Sequence, residues 1–322
     1  MTRPLRIVEP IADVEPDDAW TEIRGSWLRN VAARDVAPLT VKTYGTSLDV
    51  FADWARERGI SDPVDVTRTD LEAFQGWALN RTTRRGRKAS ASTVAKHHRN
   101  LRVFFGWLAD FEEVPNPFDK VAAPRVKKQP VDVFTVEELR ALVGACKGRE
   151  FVDRRDLAVL RLLLDTGIRR AELSTLRVVD VDRDAQLVTV IGKGGKMRHV
   201  PYGAKTAEAL DLYLRVRSRH RDARDPALWL NAPDRARGAI GNEGIRDMLI
   251  RRARIAGVEN VHPHRFRHTA ADMFLSQDNV TEGDAMRRFG WETRVMVDHY
   301  GASAADRRAI AAFRKSSPAD HV

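Results

Sequence analysis

Residues 262–269 read HPHRFRHT, with three histidines and two arginines in eight positions. Three tasks suit such a group: holding a metal, clamping a phosphate, or ending a basic helix with no chemistry. Pro263 fits the first turn of a helix, which puts His264 and Arg267 at i and i+3 on one face. His264, His268 and Asp272 fall at i, i+4 and i+8, a spacing that mimics a metal-binding face. Arg265 and Arg267 argue against metal, because two fixed positive charges would stand beside the ligands of a cation. A phosphate site needs such charge.

Three other stretches carry candidate chemistry. In TGIRRAEL, Gly167 ends a helix and Arg169 opens the next, so its guanidinium can meet a phosphate near free helix amides. Glu172 stands three residues on and can hold that guanidinium; a plain surface ion pair is the alternative. In IGKGGKMRHVP, three glycines flank Lys193 at a turn with little steric cover. The lysine can reach a leaving oxygen, or the turn is a basic hairpin and nothing more. Its spacing is not that of a P-loop. In FGWETRVMVDHYGAS, Tyr300 precedes a glycine and a terminal amphipathic helix.

These stretches need elements to position them. Helices are expected over 17–34 and 38–58, where Val41, Tyr44, Leu48, Phe51 and Trp54 recur at helical spacing as a core stripe. A third starts near Thr69, with TDLE as its capping box. A fourth covers about 92–110: Leu101, Phe104, Phe105 and Leu108 face a core, while Lys96, His97, His98, Arg99 and Arg102 form a basic half free for phosphates. Four prolines in 114–130 mark an extended linker with Arg125, Lys127 and Lys128 along it. Beyond a boundary near 130, Thr135 and Glu138 form a capping box. An apolar helix ends at Gly167 and a short one covers AELSTL. A valine-rich stretch then reads as a small sheet. Helices follow over 204–219, 242–256, 263–276, 282–290 and 293–300, with a last piece at 303–315.

Composition narrows the class. The 322 residues are 43% hydrophobic and 31% charged, as in globular proteins, and 55 Lys+Arg against 45 Asp+Glu give a net charge of +10. No apolar run approaches the ~18 residues of a membrane span, and the N-terminus lacks the apolar core of a signal peptide. Cys146, the single cysteine, excludes an intrachain disulfide, fits a reducing cytoplasm and reads as core filler. Charge is uneven: residues 1–80 hold 9 basic and 14 acidic groups, whereas 81–102 hold 8 basic groups and no acidic one. A high pI with clustered charge is the footprint of a nucleic-acid binder. Candidate DNA contacts are Arg84, Arg85, Arg87, Lys88, Lys96, Arg99, Lys127 and Lys128, with Lys196 and Arg198 on the hairpin.

Taken in order, Arg169, Lys193, His264–x–x–Arg267, Trp291 and Tyr300 resemble the active-site series of the tyrosine recombinases, the phage integrase family. TGIRRAEL resembles its first arginine box, GKGGKMRHVP its β-hairpin lysine motif, HPHRFRH its H-x-x-R box, and FGWETRVMVDHY its last box, with the family's nine positions from Trp291 to Tyr300. The likeness is close over 133 to about 315 and looser in the N-terminal helices. Trp291 stands where most members have histidine; an indole donates a hydrogen bond but shuttles no proton. Phe289 replaces a leucine.

The resemblance implies a mainly α chain with a small antiparallel β-sheet (α+β), closing on DNA as a C-shaped clamp. The domains expected are a tail (1–12), a SAM-like helical core-binding domain (13–113), a linker (114–132) and a catalytic domain (133–322). Within the last, an interaction helix covers about 303–315. No arm-site domain is expected before residue 13. Tyr300 would be the nucleophile, Arg169 and Arg267 the phosphate forks, Lys193 the general acid and His264 the general base or hydrogen-bond partner. Trp291 would orient the phosphate, with Glu172 and His268 supporting. The expected activity is site-specific DNA recombination through a 3′-phosphotyrosine and a Holliday junction, with no metal or ATP. The expected partners are double-stranded DNA sites, a homo-tetramer on two of them, and an accessory directionality factor, in a nucleoid-associated cytoplasmic setting. A type IB-like topoisomerase, and a metal-dependent nuclease on His262, His264 and His268, are the alternatives.

Overall fold

The structure is a computed structural model. It describes residues 18–82, 86, 88–126, 131–277 and 279–315, with side chains throughout except at 193, 302–308, 311, 312 and 315. The tail 1–12, the cations Arg84, Arg85, Arg87, Lys127 and Lys128, and the side chain of Lys193 lie outside the described residues. The chain divides into two compact units, Met1–Lys128 and Gln129–Val322.

The first unit is helical: α1 (Ala19–Ala32), α2 (Pro38–Arg56), α3 (Arg68–Asn80) and α4 (Ala91–Glu112). Its core is mostly aromatic. Trp20, Trp27, Phe51, Trp54, Phe74, Phe104 and Phe105 are all at most 1% exposed, in edge-on and tilted pairs such as Phe51–Phe74 at 4.9 Å. Leu48, Phe51 and Trp54 of the expected stripe are buried, with Val41 and Tyr44 packed against them.

Two expectations change here. The capping box of α3 lies two residues earlier than TDLE, between Thr67 and Asp70. Thr67 and Asp70 satisfy each other at the helix start, and Glu72 pairs with Arg68 at 2.7 Å, at i and i+4 on the helix surface. The basic half of α4 is also narrower than expected. His98 is 4% exposed, packs on Phe118 and meets the amide of Gln75. Burial holds His98 below its ordinary range and His97 at about 4, so both are neutral. Arg99 and Arg102 stay exposed.

The second unit contains α5 (Val136–Gly144), α6 (Phe151–Thr166), α7 (Arg170–Ser174), β1 (Val181–Asp182), β2 (Leu187–Ile191), β3 (Met197–Pro201), α8 (Ala204–Arg217), α9 (Asn242–Ala256), α10 (Pro263–Leu275), α11 (Glu282–Phe289) and α12 (Arg294–Lys315). The strands form an antiparallel sheet in the order β1-β2-β3, with Val190 opposite Arg198. Val188, Val190 and Val200 face the core, at most 1% exposed, so the sheet presents one apolar face. α6 supplies the centre with Ala158, Val159, Leu162 and Leu163. Thr135 and Glu138 cap α5 as read from the sequence.

The terminal helix differs from expectation: α12 is one helix through Tyr300 and Gly301 rather than two pieces. A glycine inside a helix costs about 1 kcal/mol relative to alanine. Here its bareness is used, because a Cβ at 301 would meet Leu275 Cδ1 of α10 at 2.8 Å. No described helix is long and apolar enough to cross a membrane.

A buried charge network joins α6 to α9. Asp156, 0% exposed, accepts from Arg155 at 3.0 and 2.8 Å, from Arg252 at 2.8 Å and from Arg251 at 3.1 Å. Removing the shared carboxylate strands Arg155 and Arg252, whose side chains are 3% and 7% exposed, in a dry interior. Asp156→Asn is therefore expected to destabilise the protein by about 3–5 kcal/mol, read as a fall in the denaturation midpoint. A loss under 1 kcal/mol would show that the arginines find water.

Candidate active site

Four segments of the second unit carry the candidate residues. The first is the turn between α6 and α7. Gly167 caps α6 with φ 57°, and a Cβ there would meet Phe289 Cε1 at 2.6 Å. Glycine is thus required twice, by conformation and by space. Arg169 follows at the N-cap of α7. Its backbone N–H donates to Glu172 Oε2 at 2.8 Å and its Nη1 to Oε1 at 3.1 Å. The Arg169 side chain remains 40% exposed, so much of its fork faces outward. Glu172 is 6% exposed. Burial alone would raise its carboxyl, but hydrogen bonds from Arg198 and the Arg169 amide, with both positive charges, hold it below the ordinary range.

The second segment is the β2–β3 hairpin. Gly192 N–H donates to the Lys196 carbonyl at 2.8 Å, and a single turn at Lys193–Gly195 closes the tip, with Gly194 and Gly195 at φ 71° and 73°. The backbone of Lys193 therefore sits in the tip. Lys196 is exposed and pairs with Glu292 at 2.6 Å. Arg198 differs from Lys196 in its surroundings. It is only 14% exposed and sets both Nη groups on Glu172, at 3.0 and 2.8 Å. The missed signal was the strand period: Arg198 shares an inward face with Val200, two residues away.

The third segment is α10. His262 caps it, its Nδ1 accepting from the Arg265 N–H. Arg267 is 2% exposed, and its Nη1 and Nη2 donate to the carbonyls of Gly167 (2.7 Å) and Phe289 (2.6 Å). Burial, then the charge of Arg169, lowers its guanidinium to about 10, so it is still a cation at neutral pH. The two arginines of this stretch do different things. Arg265 turns to α5, pairing with Asp132 and Glu138 and lying over the ring of Phe134. His264 is exposed beside Arg267. Among the described residues there is no group of three His, Cys, Asp or Glu that could hold a metal.

The fourth segment runs from α11 into α12. Phe289, Trp291 and Tyr300 form a stack with ring centroids 5.0 Å apart at each step. The His268 ring centroid lies 4.6 Å from that of Tyr300, and the His299 centroid 5.9 Å from that of His268. Arg267 sits 5.7–5.8 Å from all three stacked rings. Tyr300 is 8% exposed, and the buried Trp291 Nε1 has no hydrogen-bond partner among the described residues. The structure thus brings Arg169, Glu172, Arg267, Trp291, His268 and Tyr300 together around one point, with the Lys193 backbone on the adjoining hairpin.

The family pattern described as Phage integrase family matches residues 132–307. The chain belongs to the phage integrase family. The N-terminal SAM-like domain of phage integrases matches residues 23–112. Tyrosine recombinase XerC of Oceanobacillus iheyensis is 32% identical over 250 residues, covering 76% of this chain and 79% of that one. Among solved structures, the Tn1549 transposon integrase with circular intermediate DNA superposes at a TM-score of 0.70 and 18% identity, over 91% of this chain and 99% of the other. The XerH recombinase bound to palindromic difH substrate, a post-cleavage complex, reaches 0.67 and 17% identity, over 89% and 84%. The chain is a tyrosine-type site-specific recombinase.

The histidines give a direct check on this geometry. Burial and then the nearby histidines and Arg267 lower His268 to about 4. Partial burial, then His262, Arg267 and Arg169, also lower His264. Both rings are therefore expected to be neutral at pH 7 and to gain a proton only below 6.5, His268 near pH 4. Histidine proton NMR of the DNA-free protein reads this; a His268 midpoint at or above 6.5 would contradict the packing against Tyr300.

Proposed function

We propose that this recombinase cuts and rejoins DNA through Tyr300. The observation that carries the reading is the Tyr300 ring packed between Trp291 and His268, with the buried cation Arg267 5.8 Å from it. A phenol with an unperturbed pKa near ~10 needs such help to attack at neutral pH. The Tyr300 Oη–phosphorus bond forms as the bond from phosphorus to the 5′ oxygen breaks, leaving a 3′-phosphotyrosine and a free 5′-hydroxyl. Arg169 and Arg267 offset the charge that builds on the non-bridging oxygens. His264, neutral at pH 7, takes the phenolic proton or holds the phosphate. Trp291 turns its unpartnered N–H to a phosphate oxygen. Lys193 gives a proton to the departing 5′ oxygen. The phosphotyrosine stores the energy of the broken bond, so the chemistry needs no ATP or metal.

The substrate in this reading is double-stranded DNA; in support, the Tn1549 integrase is solved in complex with circular intermediate DNA and XerH bound to palindromic difH substrate. Exposed Lys88, Arg99 and Arg102 and half-exposed Lys96 suit the phosphate backbone. Attack by the freed hydroxyl of a second strand gives a Holliday junction, which calls for four copies on two sites. Exposed Ile310 and Phe313 on α12 offer such copies an apolar contact. An accessory factor would set direction, and the setting is the nucleoid.

Two experiments test the roles. Tyr300→Phe removes only the hydroxyl, so it is expected to bind DNA and form no protease-sensitive covalent adduct; an adduct in that variant would overturn the assignment. Lys193→Ala is expected to cleave ordinary DNA on the order of 10²–10⁴ times more slowly and to recover when sulfur replaces the 5′ bridging oxygen, because a thiolate leaves without a proton. Arg169→Ala should gain nothing from that sulfur. If Lys196→Ala is rescued and Lys193→Ala is not, the acid is Lys196.

A further inference from the structure

We infer that Arg198 is a positioning residue of strand transfer: through the carboxylate of Glu172 it sets the fork of Arg169 toward the scissile phosphate and touches no DNA itself. The inference rests on the proposed role of Arg169. Its first ground is the occupancy of Glu172. Oε1 accepts from Arg169 Nη1 and Arg198 Nη1, and Oε2 from the Arg169 amide and Arg198 Nη2. A carboxylate offers about four lone-pair sites, so these four donors fill it. Glu172 can therefore bind neither substrate nor lysine; it transmits the position of one arginine to the other.

The second ground is the slot around Arg198. A Cβ on Gly290, where φ is 62°, would lie 3.3 Å from its Cζ, Nε and Nη1, and a Cβ on Gly192 would lie 3.4 Å from Nη1. Two glycines thus clear the space beside a flat guanidinium. A lysine ammonium is a point charge and cannot repeat the fork. A cavity of about 510 Å³ opens alongside, lined by Arg169, Gly192, Arg198 and Trp291 among others. Of the two arginines only Arg169 has much of its side chain exposed, at 40% against 14%.

The third ground is electrostatic. A buried Glu172 paired with Arg169 alone would cancel the charge that the phosphate needs. Arg198 offsets the carboxylate, leaving two cations against one anion. Because Arg198 stands on β3 opposite Val190, the same carboxylate also ties α7 to the hairpin that bears Lys193.

The test compares covalent-adduct rates on an ordinary scissile phosphate and on a neutral methylphosphonate at that position, in the full-length protein. A neutral phosphorus centre no longer needs the charge that Arg169 brings. Arg198→Gln is expected to slow adduct formation on natural DNA by on the order of 10²-fold and to come within a few-fold of wild type on the methylphosphonate, as Arg169→Ala does. Arg198→Lys and Glu172→Gln should show the same substrate-dependent recovery. DNA affinity and its salt slope should not change. An equal deficit on both substrates would make Arg198 a structural strut and overturn the inference, as would a fall of about 0.9 in the salt slope, the mark of a lost phosphate contact. If Arg169→Ala itself fails to recover, the proposed role of Arg169 falls. If Arg169→Ala recovers and the Arg198 variants do not, only the role of Arg198 falls.

Discussion

The site depends on a cation placed where water cannot reach it. Arg267 is 2% exposed, and its two Nη groups hold carbonyls from opposite sides, Gly167 at the end of α6 and Phe289 at the end of α11. Both lie at helix C-termini, Gly167 as the C-cap of α6 and Phe289 as the last residue of α11, where the partial negative charge of the helix collects. Burying an uncompensated guanidinium is costly; these two carbonyls offset that cost, and in return the guanidinium joins three helices that have no covalent link at that point. Gly167 is held by the same constraint, since any side chain there would strike Phe289. The aromatic stack then has a fixed floor, and Tyr300 lies on it.

Around this centre, charged groups divide between those that face outward and those that brace. Arg169 and His264 have open faces, whereas Glu172, Arg198 and Arg265 are spent within the protein. The braces are as polar as the groups they hold, which is why residue type alone does not separate them. A few kcal/mol of electrostatic work at a phosphate requires donors that do not reorganise when charge appears, and saturated pairs of this kind are one way to prevent reorganisation.

Much of this was legible before any coordinates. Thr135 and Glu138 announce α5 because a capping box is local chemistry read three residues apart. Gly167 announces the end of α6 for the same reason. The candidate catalytic residues were legible because their types and order match a family pattern, which carries long-range information that periodicity does not. What was not legible depends on tertiary partners. Arg198 reads as one more basic residue on a hairpin until Glu172 is seen beneath it. His98 reads as basic until Phe118 covers it. The break expected after Tyr300 failed because Gly301 is usually a stop signal, and here it serves a close approach between helices instead.

That approach bears on resealing more than on cutting. Position 301 brings α12 within side-chain contact of Leu275, one residue beyond Tyr300. A break that is stored on a protein side chain is safe only while the two DNA ends keep their places. A tether that drifted by an ångström would hand the end to water or lose its partner. The bare spot on α12 shortens the lever between the tyrosine and the body of the protein, so an end held there as proposed would have little room to wander. On the proposed role of Tyr300, that missing methyl group guards the stored bond during the interval when the strand is open.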